Sequence, residues 1–301
     1  MTTDRPLLGI LLMLGFCILA PFGDSIAKIL GAQMPILHLL TVRFAFQALI
    51  LIPLLWLTGK RVTTSPYVTY MTALRTVLHI IGIGAMFTAL RFLPLADAIA
   101  IAFVMPFIML LLGKFALAEE VGPHRLIACV IGFIGTLLVV QPNFAAVGAP
   151  ALLPLLVAVV FALFMLVTRK IAKIVDPISL QAQSGLMATL VLIPATLAAP
   201  MFGLNETIAV PQGSAIVLLF LMGTVGTIAH LLMTWSLRFA PSATLAPMQY
   251  LEIPFATIIG WMIFRDLPNG LAALGIMVTV GAGLYVIWRE RRNASDAAAS
   301  A

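Results

Sequence analysis

The chain has 301 residues, 62% hydrophobic and 9% charged, with a formal net charge of +6 and a mean hydropathy of +1.14. A soluble domain carries about a quarter charged residues, so an ordinary soluble fold is excluded. Nucleic-acid binding is excluded as well, because the Lys and Arg residues fall in short clusters between apolar runs and form no interleaved basic and aromatic surface.

Apolar runs near the ~20 residues needed to cross a bilayer recur along the whole chain. A lone run must satisfy its own backbone hydrogen bonds in lipid, and the ~10-residue alternation of a membrane barrel is missing, so the expected fold is an all-α polytopic membrane protein. In chain order the predicted spans cover roughly 7–29, 36–57, 67–90, 95–115, 123–141, 150–170, 178–199, 214–237, 242–264 and 268–288, ten transmembrane helices in all. The first run has a weakly basic start and no small-residue cleavage site directly after its apolar core, so it is expected to stay as a span and not to be removed as a signal. The closing residues, NASDAAASA, read as a frayed polar tail. Cys17 and Cys129 both fall inside predicted spans, without metal-ligand spacing, so neither a disulfide nor a metal site is expected.

Positive charge sets orientation. One side of the predicted spans collects Arg5, Lys60, Arg61, Lys114, Arg125, Arg169, Lys170, Lys173, Arg238, Arg289, Arg291 and Arg292; the other collects Lys28, Arg91 and Arg265. Both termini are therefore expected in the cytoplasm.

The chain also repeats itself. LRFLP at 90–94 returns as LRFAP at 237–241, IAKIL at 26–30 as IAKIV at 171–175, and LIP at 51–53 again at 192–194; AEE at 118–120 faces RDL at 265–267. These matches keep one order, at spacings of 147, 145, 141 and 147. They divide the chain into repeats at 1–145 and 146–292, with a tail at 293–301. Five spans is an odd number, so the second repeat must enter the membrane from the opposite face. Such inverted five-helix repeats are a recurrent architecture of secondary transporters, which bind near the midplane between the halves. The repeated Arg91 and Arg238 would then anchor corresponding helix ends by snorkelling to opposite headgroup layers.

An AK pair near the end of the first span, Arg43 in the second, and FRDLPNGLAALGIMVTVGAGLYVI near the end of the chain resemble the drug/metabolite transporter superfamily, EamA type. The likeness extends over nearly the whole chain. ALRTVLHIIGIGAMFTALRFLPLADA and APSATLAPMQYLEIPFATIIGWMIFRD are similar to the branch that includes S-adenosylmethionine uptake carriers. The resemblance implies a central cavity bounded by the first, third, fourth, sixth, eighth and ninth helices. It also implies an Arg at position 43 whatever the substrate, which points to a structural role.

Ionisable groups inside a span are costly, so each is a functional candidate. Glu252 sits midway along the ninth span, where low dielectric disfavours a charge unless a cation answers it. It either binds ligand or couples protons, or forms an ion pair holding the halves together. Gln249 lies three residues earlier on nearly the same face. In the third span Arg75 and His79 share a face with Gly82 and Met86; Arg75 suits a substrate carboxylate or Glu252, and His79 is either a titrating group or a packing element. Thr224, Thr227, His230 and Thr234 form a polar stripe on the eighth span, fit for a wet cavity or for interhelical glue. Pro106 and Pro254, 148 apart, should kink the fourth and ninth helices. Phe103 and Tyr250 are stacking walls or core packing. Asp24 and Lys28 form an i,i+4 pair, as a salt bridge or a gate. Gly132, Gly135, Gly281 and Gly283 should allow close packing of the last helix of each repeat.

The expected function is secondary transport of a small organic metabolite such as S-adenosylmethionine, an amino acid or a vitamin-like compound across a bacterial cytoplasmic (inner) membrane by alternating access, with Glu252 a candidate for proton coupling. Export of amino acids or drug-like compounds is the alternative. An ATP-binding P-loop, paired Asp motifs for a diphosphate and an H-E-x-x-H helix are all missing, which weakens ATP coupling and an intramembrane enzyme; repeat symmetry favours a carrier over a channel. The expected partners are a small-molecule substrate, membrane lipid and, if Glu252 couples transport, protons. No cofactor and no nucleic acid is expected, and the oligomeric state is open.

Overall fold

The computed structural model describes residues 5–60, 65–119, 121–140, 148–202, 211–265 and 270–299. Arg61, Glu120 and residues 266–269, which enter the charge count and the repeat, lie outside the described residues, as does the junction at 141–147. The described residues form twelve α-helices and no strand. They are α1 Pro6–Gly31, α2 Ile36–Leu57, α3 Pro66–Ala89, α4 Leu95–Ala102, α5 Met105–Ala116, α6 Pro123–Val140, α7 Leu153–Ala172, α8 Pro177–Ala198, α9 Ser214–Phe239, α10 Ser242–Gln249, α11 Glu252–Phe264 and α12 Gly270–Ala299.

Helix starts follow local chemistry. Pro6, Pro66, Pro123 and Pro177 each begin a helix, where a missing N–H costs nothing and φ is already helical. Ser65 caps α3 by accepting from Val68 N at 3.3 Å, and Asp176 caps α8 by accepting from Ile178 N and Ser179 N at 3.0 and 3.4 Å. Asp176 also pairs with Lys60 Nζ at 2.7 Å, tying the end of α2 to the start of α8.

Among the described residues seven helical stretches are long and apolar enough to cross a membrane, counting Leu95–Ala116 as one; Pro123–Gly135 and Ala273–Tyr285 are shorter apolar helices. Their outer faces are apolar too: Leu190 is 64% exposed and Leu49 68%. A surface so greasy is unstable in water and natural in lipid.

Two differences from the expected spans stand out. The fourth and ninth spans are broken, not merely kinked. The turn at Phe103–Val104 separates α4 from α5, and the turn at Tyr250–Leu251 separates α10 from α11. Pro106 and Pro254 lie in the first turn of α5 and α11, where their rings disfavour helical continuation from the residues before them. The last helix, in turn, continues to Ala299, through residues whose polarity suggested fraying; Ala is the best helix former, and extending an existing helix needs no new nucleus.

Four helices of the first half pack most closely on a helix of the second: α1 on α9, α2 on α8, α3 on α7, and α6 on α12. Close approach has a residue-level cause. A Cβ on Gly135 would stand 2.5 Å from Thr279 Oγ1 and one on Gly132 2.5 Å from Tyr250 Cδ2, so α6 can lie against α12 and the α10–α11 turn only because both residues are glycine. Gly283 meets Leu251 in the same way, whereas Gly281 faces open space.

Candidate functional site

Between the two halves lies a cavity. Phe16 and Asp24 of α1, Arg43 of α2, Met86 of α3, Phe103 before α5, Phe161 of α7, His230 of α9 and Glu252 of α11 are among its walls. It is mostly apolar, with four ionisable side chains placed around it, the usual make-up of a small-molecule site.

Glu252 is the first residue of α11 and reaches the cavity because the chain breaks just before it. Asp24 lies within electrostatic reach of both Glu252 and Arg43. Asp24 thus stands between a second carboxyl and a guanidinium, and two acidic groups share this wall with one basic one.

Arg43 crosses from α2 to α9. Its Nη1 donates to Gln47 Oε1 at 3.2 Å, and its Nη2 lies 3.2 Å from His230 Nδ1. A Cβ on Gly226 would collide with the Arg43 guanidinium, so the crossing depends on that glycine. Gln47 is held in turn by Gln181, donating to its backbone oxygen at 2.8 Å.

Behind His230 the polar groups continue as a stack. The His79 ring is 4.5 Å from His230 and 4.5 Å from Phe164, and the Arg75 guanidinium lies 4.5 Å from the Phe164 ring centre. Arg75 donates to Thr168 Oγ1, Ser184 Oγ and Thr234 Oγ1 at 2.8, 2.7 and 3.3 Å. It does not pair with Glu252, one of the two roles its sequence position suggested, because Phe164, His79 and His230 stand between Arg75 and the cavity.

Glu119, beyond the end of α5, binds the start of α10. It accepts from Ser242 N at 3.1 Å, from Ala243 N at 3.0 Å and from the Ser242 hydroxyl. Arg169 Nε donates to the same carboxylate at 3.1 Å, while Arg169 Nη1 donates to Leu237 O at 2.6 Å. Glu119 and Arg169 together therefore join the ends of α5, α7, α9 and α10, and a carboxylate at a helix start also meets a favourable dipole. Nothing in its sequence position distinguished Glu119 beyond its match to Asp266.

Of the residues singled out from sequence, Asp24, Arg43, Phe103, His230 and Glu252 line the cavity. Arg75 and His79 lie behind its wall. Gln249 and Tyr250 are fully buried in the break between α10 and α11; Gln249 Nε2 donates to Met109 Sδ at 3.6 Å and the Tyr250 ring packs 5.7 Å from Phe103. Thr227 turns its hydroxyl to Gly223 O at 2.7 Å, within its own helix. Lys28 donates to Leu93 O at 2.7 Å and lies over the Phe264 ring. Met86, placed on the Arg75 face by the sequence, does line the cavity, but the rest of the apolar wall, notably Phe16, Phe161 and Met222, was not singled out, since an apolar residue facing a cavity has the same sequence signature as one facing its neighbours. Among the described residues no group of three or more His, Cys, Asp or Glu is placed to hold a metal ion.

The EamA-like transporter family matches at residues 7–141 and again at 149–289. An S-adenosylmethionine uptake transporter of Rickettsia felis is 25% identical over 275 residues, 91% of this chain and 90% of the relative. A riboflavin transporter of Rhizobium johnstonii is 31% identical over 219 residues, 73% of this chain and 70% of the relative. One of Vibrio cholerae is 24% identical over 294 residues, 96% of each chain. A solved crystal structure superposes with a TM-score of 0.73 at 19% identity, over 95% of this chain and 97% of the other, which speaks to the fold. These relatives are named as transporters, not enzymes, and with both halves matched by one family model the chain belongs to the EamA-like transporter family of the drug/metabolite transporter superfamily.

Proposed function

We propose that this protein is a secondary carrier for a small organic metabolite, either a cation or zwitterion such as S-adenosylmethionine or an amino acid, or an uncharged planar vitamin of the riboflavin kind. It works by alternating access in a bacterial cytoplasmic membrane, with both termini in the cytoplasm. Its ten membrane segments form inverted halves at 1–145 and 146–292, with a short polar tail after them. Support for the inversion comes from the helix pairs: exchanging the halves turns α1 on α9 into α7 on α3 and returns α2–α8 and α6–α12 to themselves. Support also comes from the backbone. The described non-glycine residues with positive φ are Ala118 and Arg265, at +52° and +60°, and they are 147 positions apart, at matching places in the repeat.

The observation that carries the substrate reading is the cavity, whose wall holds Asp24, Glu252 and Arg43 among aromatic and methionine side chains. A cationic centre is drawn to the carboxylates and a ring to Phe16, Phe103 and Phe161. Glu252 is also the group through which protons couple to transport, by exchanging with the bound cation. The test is a thermal-shift screen of the purified protein against S-adenosylmethionine, riboflavin and the amino acids, followed by counterflow in liposomes. Saturable counterflow of a stabilising compound, lost in Glu252→Gln, supports the reading; currents without saturation would favour a channel.

A further inference from the structure

Arg75 is fully buried, and its three bonds all go to uncharged hydroxyls. Two of those hydroxyls have already committed their own protons, Thr168 to Phe164 O and Thr234 to His230 O, at 2.7 and 2.8 Å. A guanidinium has five N–H groups. One on each terminal nitrogen is therefore left over, and a carboxylate is the group best able to take both. Arg43, by contrast, has Asp24 within electrostatic reach. No acidic side chain among the described residues bonds to Arg75. A buried charge left without an opposite charge destabilises the fold, and inside a membrane such a residue marks a substrate path.

Only side chains separate Arg75 from the cavity. His230 and Phe161 belong to the cavity wall; His79 and Phe164 form the layer behind it, in ring contact with both. Both ring nitrogens of His79 are buried without a hydrogen-bond partner, so the layer is polar at its centre and unsatisfied as it stands. Phe161 lies against Gly82, where a Cβ would come within 2.6 Å of its ring.

We propose that Arg75, Ser184 and Thr234 form a second binding station, selective for the carboxylate of the transported metabolite and reached when this aromatic layer parts. The proposal rests on the carrier reading above. Asp24 and Glu252 hold the cationic part of the cargo in the cavity, and Arg75 receives its carboxylate as the opposite end opens. The guanidinium then gains its missing counter-charge only from cargo that carries one.

Two experiments test it. In proteoliposomes, wild-type protein should take up S-adenosylmethionine about tenfold better than decarboxylated S-adenosylmethionine, a difference of ~1.4 kcal/mol, and Arg75→Gln should move the two compounds at similar rates. A wild-type ratio near one, or a ratio unchanged in Arg75→Gln, overturns the station while leaving the carrier reading intact. The second experiment needs no substrate. Thr234→Cys, in a Cys17→Ser and Cys129→Ser background, is treated with a sulfonate-bearing methanethiosulfonate and with its trimethylammonium counterpart. The anionic reagent should react about tenfold faster, and adding Arg75→Gln should abolish that preference. If neither reagent reaches the introduced thiol, nor a cysteine placed at Ser184 should the first variant misfold, or if the preference ignores Arg75, the proposal is wrong. Failure of both S-adenosylmethionine compounds to be taken up counts against the substrate reading alone, and the labelling result then decides the station.

Discussion

Arg91 and Arg238 make the same bond in the two halves of the molecule. Arg91 Nη2 donates to Met34 O at 2.6 Å and Arg238 Nη1 donates to Val175 O at 3.1 Å. Each acceptor lies three residues past the end of the first full helix of its half, α1 or α7. The repeated Arg therefore closes the chain reversal after that helix, in place of the headgroup contact alone that the sequence suggested. Charged hydrogen bonds contribute roughly 1.5–3 kcal/mol each. Arg91→Gln and Arg238→Gln should each lower the melting temperature in detergent, by similar amounts, while leaving ligand affinity in the cavity unchanged.

The proposed inversion of the halves would put Lys60 and Arg265 on opposite faces of the membrane. Single cysteines at these positions, with Cys17 and Cys129 replaced by Ser, should react with an impermeant reagent from opposite sides of oriented vesicles. Labelling from one common side contradicts the inverted arrangement.

Glu252 and Asp24 share one cavity with Arg43, so each substitution removes a group able to carry negative charge beside a bound cation. Glu252→Gln and Asp24→Asn should weaken binding of a cationic ligand by at least about tenfold, since desolvated charge pairs are worth more than ~1.4 kcal/mol. Wild-type uptake should vary across roughly pH 5 to 8, and the profile of Glu252→Gln should be flat if this carboxylate carries the proton. A Glu252→Gln profile that follows the wild type would assign coupling elsewhere.

Gly226 gives Arg43 its room. Gly226→Ala should push the guanidinium away from His230 and reduce ligand binding, whereas Gly223→Ala, one turn away against Phe46, should affect stability more than binding. A core overpacked in this way loses about 1–3 kcal/mol. Binding isotherms alongside melting curves separate the two effects.

Glu119 is a tie between the halves, accepting from Arg169 and from the start of α10. Glu119→Gln keeps the shape and removes the charge, leaving Arg169 without its carboxylate. Loss of one partner of a largely buried pair costs about 3–5 kcal/mol, so this variant should melt earlier, as a melting curve in detergent would show.

The span pattern was readable from the sequence because membrane helices are long apolar runs with proline and charge at their ends. The breaks at Phe103–Val104 and Tyr250–Leu251 were only half readable. Pro106 and Pro254 announce a disturbance, but whether a helix bends or stops is decided by what packs around it. The site divides in the same way. Glu252 and His230 stand out because polar groups are costly in a membrane, and both reach the cavity. Arg75 stands out equally, yet the same cost that flags it says nothing about depth, and it lies behind an aromatic layer. The cavity's apolar walls were invisible, since Phe16 or Met222 is as well suited to lipid or core as to a ligand.

The proposed alternating access of the cavity is tested most directly by a cysteine at Met222, in its wall, in protein lacking Cys17 and Cys129. An impermeant thiol reagent should modify it from either side of the membrane, and a stabilising ligand should slow the reaction from both sides. Modification from one side only, under all ligand and pH conditions, would contradict a carrier that exposes this cavity to both faces in turn.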